Sequence, residues 1–309
     1  MRRRTIVALA ACVALIAAAG CAITPDLSRK TLEARYLNAP TDMRAVAGTR
    51  LHVRDTGPRD ARAVVMIHGV ASSLHTWEAW AGALDDDFRV IRFDLPGSGL
   101  SPPDPTGDYT DTRTTRLLAA LMDDLGVERT ALIGNSLGGR IAWTFAAAHP
   151  DRVERLVLVS PDGFASPPFE YGKATEIPPV FNAIEYVLPR ALLRSNLEVA
   201  YADPARLDDA TVARYHDLLR APGNRAALLE RFRQTILVDP EPRLAGIDIP
   251  VLLLWGEEDG MIPVTNAADY ERILPDATLA RLPALGHVPQ EEAPAVSLAP
   301  VRAFLAGEE

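Results

Sequence analysis

The sequence of 309 residues is poor in cysteine and has fewer basic than acidic residues. Its two cysteines, Cys12 and Cys21, cannot form the framework of several disulfides that many small secreted domains need. A formal net charge of −9, with no basic run interleaved with aromatics, argues against a nucleic-acid partner. No pair of histidines has the spacing of metal ligands, so we expect neither a metal nor an organic cofactor.

Long apolar runs are also missing, apart from the stretch between Ile6 and Ala19. That stretch follows three arginines and is shorter than the roughly 20 residues of a membrane-spanning helix. This arrangement is typical of a secretory signal peptide, which we assign to residues 1–20. A short uncleaved membrane anchor is the alternative.

The end of this stretch, Ala18-Ala19-Gly20-Cys21, resembles the lipobox of bacterial lipoproteins. The resemblance implies cleavage before Cys21, acylation of that cysteine and attachment to a membrane of the bacterial cell envelope. Removal of three of the 32 basic residues would leave 29 against 41 acidic ones, a net charge of −12. Without acylation, the protein would be periplasmic or secreted. Residues 21–40 are polar, and we interpret them as a tether.

Apolar runs typical of strands alternate with helical patterns from residue 41 onward. Such runs occupy residues 63–69, 89–97, 130–136 and 153–161. Buried strands separated by helices predict an α/β fold with a mostly parallel central sheet that helices cover on both faces. The alternation stops after Pro161 and returns near residue 249. We therefore predict two core segments, 41–161 and 246–309, around a mainly helical insertion at 162–245.

The motif Gly134-Asn135-Ser136-Leu137-Gly138 matches the pattern G-x-S-x-G. It follows a predicted strand and opens a predicted helix, as a nucleophile elbow requires. The turn would lift the hydroxyl of Ser136 above the edge of the sheet, beside the free N–H groups of the helix N-terminus. Ser136 is therefore the candidate nucleophile, and a small residue that merely fills a turn is the alternative.

A serine nucleophile needs a base that a carboxylate orients. His287 follows the last predicted strand, where a loop would bring it over Ser136. Three acids, Glu257, Glu258 and Asp259, follow the strand before it, and Asp259 is the best turn residue because Gly260 comes next. Asp162 is the second candidate for the acid.

The charge that develops on an attacked carbonyl oxygen needs two preorganised N–H donors. The main-chain N–H of Leu137 follows the nucleophile directly and is one candidate. The second would come from the turn at Gly69 and Val70, after a predicted strand. His68 precedes this turn, and we expect it to orient the turn rather than to transfer protons.

With these motifs, residues 41–309 resemble the α/β-hydrolase superfamily. The resemblance implies a triad of Ser136, Asp259 and His287, oxyanion donors at Val70 and Leu137, and a cap domain in the insertion. Five cap aromatics would line the inner face of that cap: Phe164, Phe169, Tyr171, Phe181 and Tyr186. Family members that act as haloalkane dehalogenases or epoxide hydrolases carry aspartate at the elbow, so Ser136 argues against both activities.

The function that we predict from the sequence is hydrolysis of a small carboxylic ester with an apolar acyl or alcohol part, through an acyl-serine intermediate. A C–C bond hydrolase or a lactonase with the same triad is the alternative, since "GNSLGG" resembles the elbow of the C–C hydrolases. Those enzymes usually carry a glycine-proline-glycine turn and a tryptophan where this chain has Val70-Ala71-Ser72 and Val288. A lipoprotein that keeps the fold only as a binding module is a further alternative.

Overall fold

The computed structural model describes residues 23–165, 170–174 and 176–307. Eight strands form one sheet in the order β1-β2-β4-β3-β5-β6-β7-β8. The strands are β1 Met43–Val46, β2 Thr49–Thr56, β3 Ala63–Ile67, β4 Arg89–Phe93, β5 Thr130–Asn135, β6 Val153–Val159, β7 Val251–Gly256 and β8 Ala277–Leu282. β2 pairs antiparallel with β1 and β4, and all other neighbours are parallel. The predicted α/β fold with a mostly parallel sheet is confirmed.

Helices connect the strands and cover both faces of the sheet. They are α1 Arg29–Tyr36, α2 Glu78–Leu84, α3 Asp111–Asp124, α4 Leu137–Ala148, α5 Arg190–Glu198, α6 Asp209–Leu219, α7 Asn224–Gln234, α8 Glu241–Leu244, α9 Ala267–Ile273, α10 Pro289–Glu292 and α11 Pro294–Ala306. None of these described helices has the length and apolar character needed to cross a bilayer.

The core consists of two apolar layers, one on each face of the sheet. In β3, Val65 and Ile67 face the layer that contains α3, α4 and α9, whereas Val64 and Met66 face the layer that contains α2 and α11. This alternation follows from the two-residue period of a strand, and it explains why every residue of β3 is apolar and buried.

The register of the sheet brings the ends of its central parallel strands to one edge. Ile67 of β3 lies opposite Gly134 of β5, Asn135 lies opposite Val159 of β6, and Val159 lies opposite Leu254 of β7. Loops that leave these strands therefore meet above the same edge, where open α/β sheets bind their ligands.

Helices α5, α6 and α7 form a cap between β6 and β7. Leu188, Leu193, Tyr215 and Leu219 form an apolar cluster of the cap, and the partly buried Ala71 of the core packs against it. A second cluster joins the cap residues Ala200 and Tyr201 to Val288 of the core. The cap therefore rests on the loops at the edge of the sheet.

The part of the predicted tether, residues 21–40, that the structure describes contains a helix and packs against the rest of the protein. Ser28 caps helix α1 by accepting a hydrogen bond from the N–H of Thr31 (3.1 Å). Leu32 of this helix is 1% exposed and packs in one cluster with Leu100, Leu218 and Ala221. The segment is therefore a fixed element that joins the core to the cap. Cys21 and the predicted signal peptide lie outside the described residues.

The prediction that aromatics line the inside of the cap is confirmed for Phe164 alone, which borders the cavity described below. Phe181 and Tyr186 are 57% and 65% exposed, and Tyr171 is 40% exposed. Phe169 lies outside the described residues. The prediction is wrong for these three exposed residues. For Phe181 and Tyr186 the reason is that a 3-10 helix at Pro179–Glu185, which Tyr186 follows directly, has no buried residue.

Candidate active site

Ser136 occupies a strained turn between β5 and α4. Its φ of 55° and ψ of −120° lie in a region that residues with a side chain rarely adopt. A Cβ on Gly134 would lie 2.2 Å from the carbonyl oxygen of Gly138, and one on Gly138 would lie 2.1 Å from that of Ile67. The glycines of the motif are therefore required by the close approach of α4 to β3 and β5, which holds the turn in place.

His287 and Asp259 come from the loops after β8 and β7 and form a buried pair. The imidazole Nδ1–H of His287 donates to Oδ2 of Asp259 at 2.8 Å, because an ionised carboxylate only accepts. The main-chain N–H groups of Met261 and Ile262 donate to Oδ1 of Asp259, both at 2.8 Å. These three hydrogen bonds fix the acid and the ring, and in the tautomer that carries its proton on Nδ1, the Nε2 atom remains as an acceptor.

Ser136 and His287 line one cavity of about 210 Å³ between the sheet edge and the cap. Val70 and Leu137 line the same cavity, and within the described residues their main-chain N–H groups donate to no protein acceptor. Both donors are thus available to an oxygen beside Ser136. Most of the remaining lining is apolar: Pro161, Phe164, Phe232, Leu237, Met261, Ile262 and Pro263.

His68 has a structural role at the turn that carries Val70. The N–H of Leu95 donates to Nε2 of His68 at 3.0 Å, so Nδ1 carries the proton that bonds to the carbonyl of Gly69 at 2.7 Å. Burial lowers the pKa of His68, in agreement with a neutral ring. His68 therefore fixes the turn, as expected.

Asn135 is a positioning residue that the sequence analysis did not single out. Its side-chain amide donates to the main-chain carbonyls of Val159 (3.1 Å) and His287 (3.0 Å). It thus ties the loop of the candidate base to the strand that carries the candidate nucleophile. The only sequence signal was its place within the G-x-S-x-G motif, whose x positions are open to any residue.

The other candidate acids lie away from the imidazole. Asp162 forms an ion pair with Arg140 at 2.9 Å rather than contacting His287. Glu257 and Glu258 are exposed to solvent. Across residues 23–165, 170–174 and 176–307, no cluster of three or more His, Cys, Asp or Glu side chains could hold a metal ion.

Comparison with known proteins identifies the family of the chain. A family model described as the alpha/beta hydrolase fold matches residues 62–181. A 2-hydroxy-6-oxononadienedioate/2-hydroxy-6-oxononatrienedioate hydrolase of Cupriavidus pinatubonensis is 30% identical over 254 residues, which are 79% of this chain and 86% of that relative. The chain belongs to the α/β-hydrolase family. As a member of this family it is a hydrolase.

Two solved structures are also similar to this chain in fold. The enol-lactonase of Burkholderia xenovorans LB400 superposes with a TM-score of 0.74 at 26% identity, over 85% of this α/β-hydrolase and 99% of that chain. A membrane phospholipase A described as a bacterial virulence factor has the same TM-score at 25% identity and covers 99% of both chains. The second similarity therefore reaches nearly the whole chain.

Proposed function

We propose that this protein is a serine hydrolase that cleaves a bond beside a carbonyl group, in the manner of the C–C hydrolases and enol-lactonases. The similarity to the Cupriavidus hydrolase over 79% of the chain carries the proposal, and the enol-lactonase supports it. These relatives favour the alternative of the sequence analysis over its first choice, simple carboxylic esters. The elbow sequence "GNSLGG" agrees with this preference.

The proposed chemistry uses the same site in both half-reactions. Ser136 Oγ adds to the carbonyl carbon while its proton passes to Nε2 of His287, and the N–H groups of Val70 and Leu137 hold the oxyanion. The bond to the leaving carbon or oxygen then breaks with its electron pair, and that atom takes the proton from His287. Water gives a proton to Nε2 of His287 and adds to the acyl carbon. The bond to Ser136 Oγ then breaks, Oγ takes the proton back from His287, and the acid leaves. One water molecule is consumed in each turnover.

The test compares three substrate classes with purified protein. We expect the protein to hydrolyse 2-hydroxy-6-oxo-6-phenylhexa-2,4-dienoate or an enol-lactone with a higher kcat/KM than 4-nitrophenyl esters. The loss of absorbance of the dienoate measures its turnover. Ser136→Ala should lower kcat about 10³-fold or more. A dienoate and an enol-lactone that both persist would reject the proposed bond class. Equal turnover by Ser136→Ala would reject the nucleophile itself.

A carboxylic ester is the second candidate for the substrate. The membrane phospholipase A aligns with 99% of this chain, whereas the enol-lactonase aligns with 85%. Val288, in place of a tryptophan usual in the C–C hydrolases, also favours this candidate. Turnover of 4-nitrophenyl esters of rising chain length, with a dienoate left intact, would establish it.

We further propose that the protein is exported and acylated at Cys21. The described chain begins two residues later on the cap surface, where the N–H of Thr24 donates to the carbonyl of Tyr186 at 2.7 Å. An acyl group at Cys21 would hold this side of the cap near a lipid surface. Detergent partitioning of the wild type and of Cys21→Ser tests the anchor: Cys21→Ser should move to the aqueous phase, and unchanged partitioning would refute acylation.

A further inference from the structure

Two buried arginines, Arg140 and Arg231, border the cavity of Ser136, and their surroundings differ. Arg140 faces two carboxylates: Nη1 lies 2.9 Å from Asp162 and Nε lies 3.3 Å from Asp111. These two carboxylates outweigh the effect of burial and raise the pKa of Arg140. The positive charge of Arg140 is therefore neutralised within the protein.

Arg231, on helix α7 of the cap, has no such partner. It is 6% exposed, and none of the ion pairs in the described part of the chain involves it. Its guanidinium donates to the main-chain carbonyls of Pro96 (3.1 Å) and Tyr109 (3.5 Å) and lies over the ring of Tyr109 at 5.2 Å. Burial lowers the pKa of Arg231 to about 10, so the group stays charged at neutral pH.

A buried charge without a counter-ion is unfavourable, and an anion that enters the cavity removes this cost. The planar guanidinium of arginine matches the two oxygens of a carboxylate better than an ammonium group does. Since the nearby Arg140 is already paired with Asp111 and Asp162, a ligand anion would find its counter-charge at Arg231.

We propose that Arg231 binds a carboxylate of the substrate and thereby directs the scissile carbonyl toward Ser136. The proposal deepens the proposed function, on which it rests, by assigning a negatively charged substrate to the site. Arg231 is then a specificity-determining residue, and Phe232 and Leu237 beside it contact the apolar part of the same substrate. The contacts of Arg231 with Pro96 and Tyr109 hold the guanidinium in place for this role.

The test uses two matched esters, mono-4-nitrophenyl glutarate and neutral 4-nitrophenyl pentanoate. We expect the wild type to prefer the glutarate ester at least 10-fold in kcat/KM. Arg231→Met should lose this preference, because KM should rise at least 10-fold more for the glutarate ester than for the neutral ester. Arg231→Lys should keep part of the preference. If Arg231→Met lowers kcat/KM equally for both esters, Arg231 has only a structural role. A wild type that does not prefer the glutarate ester would overturn the proposal.

Arg225 provides the matched control on the same helix. It is 5% exposed but pairs with Asp26 at 2.7 Å and does not line the cavity. Arg225→Met should leave the ratio between the two esters unchanged, even if it lowers stability. If Arg225→Met changes that ratio as much as Arg231→Met does, the loss of any buried arginine of α7 has this effect, and the proposal for Arg231 is overturned.

Binding without turnover separates this proposal from the proposed function. Calorimetry should show that Ser136→Ala binds free glutarate. The double variant Ser136→Ala, Arg231→Met should bind it with an affinity at least 10-fold lower. If Ser136→Ala binds glutarate while the wild type hydrolyses no substrate, the carboxylate site stands and the proposed function falls. If the wild type hydrolyses its substrates and glutarate binds equally well to both variants, only the carboxylate site falls.

Discussion

Two aspartate–histidine pairs in this protein have almost the same geometry and different surroundings. Nδ1 of His287 lies 2.8 Å from Asp259, and Nδ1 of His52 lies 2.7 Å from Asp94. Each carboxylate also accepts two main-chain N–H groups, which for Asp94 belong to Leu74 (2.7 Å) and Leu100 (2.8 Å). The pairs therefore cannot be told apart by the bond between acid and base.

The other ring nitrogen makes the difference. Nε2 of His52 is buried and has no hydrogen-bond partner among the described residues, whereas His287 borders the cavity together with Ser136. A histidine oriented by a carboxylate becomes a candidate general base only where its second nitrogen meets a hydroxyl and an opening for substrate. The pair of His52 and Asp94 instead stabilises the loops after β3 and β4.

The largest effect is expected from Asp259→Asn. An amide in place of the carboxylate favours the wrong tautomer of His287, and kcat should fall about 10⁴-fold, the loss that this substitution causes in a serine protease with a Ser-His-Asp triad. Steady-state kinetics on any substrate that the wild type turns over measures the loss. The same substitution at Asp94 is the control, and it should leave kcat of the folded protein within a few-fold. Equal losses of kcat at both sites would contradict the contrast between the pairs.

The second effect is a loss of stability in Asp94→Asn. Burial alone would raise the pKa of Asp94, but the opposing charges and hydrogen bond of the neighbouring histidines, above all His52, hold it at about 2. The amide nitrogen of asparagine accepts no hydrogen bond, so one buried donor loses its partner, and the free energy of unfolding should fall by about 3 kcal/mol. Urea unfolding at neutral pH measures this change. A loss under about 1 kcal/mol would show that the pair does little for the fold.

The smallest effect is a pH dependence of stability that comes from His75, beside the pair of His52 and Asp94. The ring of His75 lies 5.9 Å from that of His52, and burial lowers the pKa of His75 to about 3 from its ordinary 6.5. As the pH falls below 6.5, the unfolded chain takes up a proton at His75 that the folded protein does not. Stability therefore decreases from about pH 6.5 toward pH 3, and His75 should account for about 2 kcal/mol between pH 7 and pH 5.

The variant His75→Gln isolates this contribution. Its free energy of unfolding should fall less between pH 7 and pH 5 than that of the wild type, by the same 2 kcal/mol. Urea unfolding curves at both pH values give the comparison. Parallel decreases in the two proteins would assign the acid sensitivity to other groups.

The sequence allowed the fold and three residues of the candidate site to be predicted, because each signal is local. Ser136 stands in a glycine-rich turn after a strand, and Asp259 and His287 each follow a strand that ends at the same edge of the sheet. The alternation of buried strands and helices suffices to place these ends together. The roles of the three side chains remain predictions until kinetics is measured.

Features that depend on contacts between distant segments could not be predicted. Arg231 is one of many arginines in the sequence, and only the folded protein reveals that it borders the cavity and forms no ion pair with a carboxylate of the described residues. Helix α1 has a polar sequence, RKTLEARY, in which Leu32 is the one buried residue, so the sequence has no apolar stripe that would predict a helix. Phe181 and Tyr186 look like lining residues by type, but their 3-10 segment leaves them on the surface.

The position of α1 has a consequence for the order of folding. Leu32 packs against Leu218 and Ala221, which the ribosome adds almost two hundred residues later. The helix has no complete docking surface until those residues exist, and contacts so far apart in sequence form late because loop closure is unfavourable. Helix α1, the first in the described part of the chain, is thus among the last to dock. A chain trimmed to begin at residue 40 would leave this apolar surface uncovered, with a greater tendency to aggregate.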